Sequence, residues 1–78
     1  MRQEINDFDI EKVAGGSVNI SEKKNKIGFD TLGEGYTLKC SYSQARSFVS
    51  QAFAAHQDMT EKEFDTFIRD EFLSRGWI

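Results

Sequence analysis

The sequence predicts a single small α+β domain, a three-stranded antiparallel sheet packed by helices in the order α-β-β-β-α-α. Three observations predict it. Polar and apolar residues alternate between residues 17 and 40, two capping boxes introduce helix-spaced apolar runs between 41 and 78, and a Gly-Gly pair sets the first sixteen residues apart. The 78-residue length allows one domain with a thin core, and seven Phe, two Tyr and one Trp supply apolar bulk for it.

Residues 1–16 hold the acids Glu4, Asp7 and Asp9 near the front, which suits the positive end of a helix dipole, and Gly15 suits a helix terminus. Ile5, Phe8, Ile10 and Val13 form a loose apolar stripe, so the segment reads as a short helix, marginal in isolation. Val18 and Ile20 then alternate with Ser17, Asn19 and Ser21, the period of a strand. Residues 22–26 read as a polar turn. Ile27, Phe29 and Thr31 share the phase of a second strand, in which Gly28 is the mark of a bulge. Gly33-Glu34-Gly35 reads as the next breaker, with Tyr36, Leu38 and Cys40 in step on a third strand. Ser41 with Gln44 has the capping-box form, and Ala45, Phe48, Val49, Ala52 and Phe53 follow on one helical face. Thr60 with Glu63 repeats the box ahead of Phe64, Phe67, Ile68 and Phe72. Gly76 closes that helix, and Trp77 is placed to contact Phe72 in a Schellman cap.

Composition excludes several functions. One cysteine cannot close an internal disulfide, and with His56 the sole histidine and no CxxC there is no basis for a protein-only zinc site. The longest apolar run, Ala52 to Ala55, is far short of the roughly 20 residues of a membrane span. A general secretory signal, with an apolar stretch of roughly 7–15 residues near the start, is also missing. A net charge of −3 argues against a nucleic-acid binder, which carries a basic patch. With no phosphate-binding glycine loop, catalytic carboxylate pair or serine triad, the chain reads as a non-enzyme needing no cofactor and no metal.

One segment carries a specific hypothesis. Ile5 is followed by Asn6, Asp9 by Ile10, and Val13 precedes Gly15-Gly16. This pattern resembles the double-glycine leader of bacteriocin and microcin precursors, in which spaced apolar positions and an acid lead into Gly-Gly; the opening Met-Arg is similar to microcin leaders. The resemblance covers residues 1–16 only. It implies an export transporter whose peptidase domain, with a cysteine nucleophile, closes around a backbone without side chains and cuts between Gly16 and Ser17. It also implies that Ile5, Asp9, Ile10 and Val13 are the recognition positions, the apolar ones docking helix-in-groove on that domain. The chain would be a substrate, secreted after leader removal. Residues 17–78 would be a folded product with eight bases against nine acids, which is no cationic membrane disruptor and would act by binding a protein.

The bland reading stands beside this one. Gly-Gly is also an ordinary helix-to-strand connection, and Ile5, Phe8 and Val13 would then pack on the body of the fold. The chain would be a cytoplasmic protein-binding module, such as a phage inhibitor or an immunity-type protein, with an unknown protein partner. Glu61, Asp65, Asp70 and Glu71 on the last helix are the candidate partner-binding face, although acids at a helix start also stabilise it directly. Cys40, in phase with Tyr36 and Leu38, reads as a small core hydrophobe, and His56 as a helix-end cap. Lys23, Lys24 and Lys26 make the one basic cluster. The αβββα order is similar to double-stranded-RNA-binding domains, but Ser41-Tyr42-Ser43-Gln44 stands where those domains place lysines.

Overall fold

The computed structural model describes residues 17–78 and the backbone of Glu11–Lys12. Four antiparallel strands lie in chain order across one sheet: β1 (Glu11–Lys12), β2 (Val18–Ser21), β3 (Lys26–Phe29) and β4 (Glu34–Thr37). Two helices follow, α1 (Tyr42–Ala55) and α2 (Glu61–Arg75). The three-stranded meander and the helix pair agree with the sequence. Glu11–Lys12 do not follow the expected helix; they are extended, with Glu11 opposite Ile20 and Lys12 opposite Asn19. The rest of the expected N-terminal helix lies outside the described residues.

Alternation decides which sheet face is apolar. Val18 opposes Phe29 and Ile20 opposes Ile27, and all four are at most 1% exposed. They form the floor of a core completed by Leu38, Ala45, Val49, Ala52, Phe64, Ile68 and Phe72. Full burial of each Val, Ile or Phe contributes roughly 1.5–3 kcal/mol of transfer free energy. Phe48 and Phe53 of α1 and Phe67 of α2 are partly buried against this cluster, completing the helical faces read from spacing.

The second hairpin departs from expectation. β3 stops at Phe29, and the chain turns through residues 30–33, where Leu32 N donates to Phe29 O (3.1 Å) and Gly33 takes φ +65°. Glu34 and Gly35 are therefore strand rather than breaker, and Thr31 belongs to the turn. Gly28 is not a bulge: it pairs in register with Gly35. Leu38 and Cys40 lie beyond β4.

Both capping boxes form. Gln44 N donates to Ser41 Oγ (3.1 Å), and Ser41 N to Gln44 Oε1 (3.4 Å). At α2, Glu63 N donates to Thr60 Oγ1 (3.2 Å) and Thr60 N to Glu63 Oε1 (2.9 Å). Helix α2 ends in a Schellman motif, with Gly76 left-handed, Gly76 N bonded to Leu73 O and Trp77 N to Phe72 O. The expected Trp77–Phe72 contact is an edge-on ring pair at 5.1 Å.

Candidate functional site

Asp65 lies one turn into α2 and is fully buried. Its spacing to Ile68 and Phe72 places all three on the core-facing side of the helix, so the carboxylate is carried inward with the apolar stripe. Burial of an ionisable group demands partners. Oδ2 accepts from Ser17 Oγ (2.9 Å), Thr31 Oγ1 (2.5 Å) and Thr31 N (3.2 Å). Oδ1 is buried and has no hydrogen-bond partner among the described residues. Ser17, itself 7% exposed, is held a second time where its carbonyl accepts from Asp30 N (3.0 Å). The network thus ties the entrance of β2 and the β3–β4 turn to α2.

This geometry corrects the acidic-face expectation. Asp65 cannot meet a partner at the surface. Glu61 and Asp70 are exposed, while Glu71 is half-buried. Asp70 pairs with Arg69 (3.2 Å) and Glu71 with Arg75 (3.4 Å), so the outer face of α2 is partly neutralised by its own cations. Arg69 also reaches Glu34 of β4 (3.2 Å), whose Oε1 accepts from Tyr36 OH (2.7 Å). The Tyr36 hydrogen bond, then Arg69, hold the Glu34 carboxyl below its ordinary range, and the Glu34 acceptor holds the Tyr36 hydroxyl above its own.

Cys40 and His56 are not brought together. They flank α1, whose fourteen residues at 1.5 Å each hold them about 20 Å apart. Cys40 is half-buried, and burial pushes its thiol up, away from a reactive thiolate. His56 closes α1 with its backbone N–H on Ala52 O (2.9 Å), and its ring lies 5.0 Å from that of Phe67, the cap expected from sequence. Lys23, Lys24 and Lys26 are exposed at the β2–β3 hairpin. Among the described residues, no cluster of three or more His, Cys, Asp or Glu could hold a metal, and no helix is long and apolar enough to cross a membrane.

The leader positions Ile5, Asp9, Ile10 and Val13 and the glycines Gly15 and Gly16 lie outside the described residues. Ser17, on the far side of the expected cut, is itself bonded to the buried carboxylate. Sequence reasoning missed the Ser17–Thr31–Asp65 network. The signal was the shared face of Asp65, Ile68 and Phe72, outweighed by the ease with which an acid in an early helical turn is read as a dipole partner. No family model, curated protein or solved structure matches the chain.

Proposed function

We propose that residues 1–16 are a double-glycine leader, removed by cleavage after Gly16 by the peptidase domain of an export transporter, and that residues 17–78 are the secreted product. That product acts by binding a protein rather than by disrupting membranes. One observation carries this reading: among the described residues, those from Val18 to Ile78 pack into one core, from the strand that begins one residue after Ser17 to the Schellman cap of α2. The chain following the glycine pair therefore has the makings of a folded product. Its near balance of charge supports a partner recognised by shape and specific contacts rather than by a cationic surface.

Intact mass of the secreted protein tests the proposal. Loss of residues 1–16, abolished by Gly16→Leu, is the expected result; a full-length product retained in the cell overturns it.

A second reading has its own support. Glu11–Lys12 pair with β2, so part of the N-terminal segment belongs to the sheet. In this reading the chain is an intracellular protein-binding module that keeps residues 1–16. It requires that Gly16→Leu leave both chain length and partner capture from the cytoplasm unchanged.

A further inference from the structure

We infer that cleavage after Gly16 creates a buried ion pair, in which the new α-ammonium of Ser17 becomes the partner of the Asp65 carboxylate and locks the product. The inference rests on the leader reading and adds to it a structural consequence of the cut.

Asp65 is lopsided: among the described residues three donors converge on Oδ2, and Oδ1, also buried, has none. A buried acceptor without a donor is a standing cost. Thr31 already spends its N–H and its hydroxyl on Oδ2, whereas Ser17 reaches the same carboxylate through its hydroxyl, with its own nitrogen two bonds from the Cβ that carries it. Staggered side-chain geometry places the nitrogen and Oγ of one serine about 3–4 Å apart. In the uncut chain that nitrogen is a neutral amide with a single hydrogen. Hydrolysis adds water across the Gly16–Ser17 bond, leaving a carboxylate on Gly16 and an amine on Ser17. The amine takes up a proton below the usual α-amino range of about 7.7–8.0. The cut thus delivers a positive charge and additional donors to a position held by two existing bonds, Ser17 Oγ to Asp65 and Asp30 N to Ser17 O. The carboxylate itself is already fixed by Thr31 and Ser17, so the new cation has to offset only the loss of the Glu11–Lys12 pairing with β2. In these terms the leader does more than address the chain for export: while attached, it withholds the cation that completes the core.

The test uses the full chain with residues 13–16 alone replaced by the four-residue recognition sequence of a site-specific protease that accepts serine after the cut, so that Glu11–Lys12 are kept and the folded protein is severed before Ser17. Cutting is expected to raise the thermal midpoint by about 5 °C. It should also leave the Ser17 amine about tenfold slower to acylate at neutral pH than in Asp65→Asn, as expected for an ammonium held by a carboxylate. Acetylating the Ser17 amine of the product should reverse the gain with every side chain intact, which keeps the test decisive if Asp65→Asn does not fold. A midpoint that does not rise on cutting, or an amine as reactive as that of an unstructured peptide, overturns the ion pair and leaves the leader reading standing. Failure of a double-glycine peptidase domain to cut the unaltered chain after Gly16 overturns the leader reading, and with it the role given to the pair.

Discussion

Asn25 and Leu38 exchange two hydrogen bonds: Asn25 Nδ2 donates to Leu38 O at 3.0 Å, and Leu38 N donates to Asn25 O at 2.8 Å. Asn25 achieves this in the left-handed region, at φ +56°, closing the β2–β3 turn while tethering the strand exit that buries Leu38. Two separable contributions follow. Asn25→Ala loses the side-chain bond and strains the backbone, and should cost about 2 kcal/mol. Asn25→Gly keeps the conformation and should cost about 1 kcal/mol. Urea denaturation of the pair checks the order; equal losses would mean that the backbone conformation contributes nothing.

The Tyr36–Glu34–Arg69 cluster makes a pH prediction. Glu34 has its carboxyl lowered in the fold, so its contribution is present above the unfolded glutamate value of about 4.3 and is lost as pH falls through the lower folded value. The stability difference between the native chain and Glu34→Gln should therefore narrow below that window. Because the Tyr36 hydrogen bond is the larger cause, Tyr36→Phe should move the Glu34 titration, followed by carboxyl NMR, further up than Arg69→Met does.

At the end of α2, Gly76 sits at φ +76° with open space around its α-carbon, so Gly76→Ala meets no neighbour and its cost is purely conformational, about 1 kcal/mol. Trp77→Ala should cost more, about 2–3 kcal/mol. The Trp77 ring lies 5.7 Å from Phe48 and 5.1 Å from Phe72, and the Arg75 guanidinium lies 5.2 Å from it. Thermal melts of the two variants should rank them in that order, and the reverse order would show that the tryptophan packing is dispensable.

The helices were legible because their signals are local. Ser41/Gln44 and Thr60/Glu63 are each complete within four residues, and the apolar spacing behind them needs no knowledge of the rest of the fold. The second hairpin was less legible, since Gly33 and Gly35 look alike in sequence. Only the pairing of Gly35 with Gly28 decides that Gly33, at positive φ, makes the turn. Asp65 was misread for the same reason. Its partners are 34 and 48 positions away, and a carboxylate in the second turn of a helix gives no local sign that it faces inward.

That separation has a kinetic consequence. The Asp65 network cannot assemble until the meander and α2 have both formed and docked, because closing so long a loop before its flanks are ordered is entropically unfavourable. Asp65→Ala should therefore accelerate unfolding while hardly slowing folding, with a φ-value near zero and an equilibrium loss of about 3 kcal/mol. Stopped-flow chevrons would reveal it as a shifted unfolding limb. The polar contact at the heart of the molecule would then act as a latch that governs how long the native state persists, with the aliphatic and aromatic side chains setting how fast it is reached.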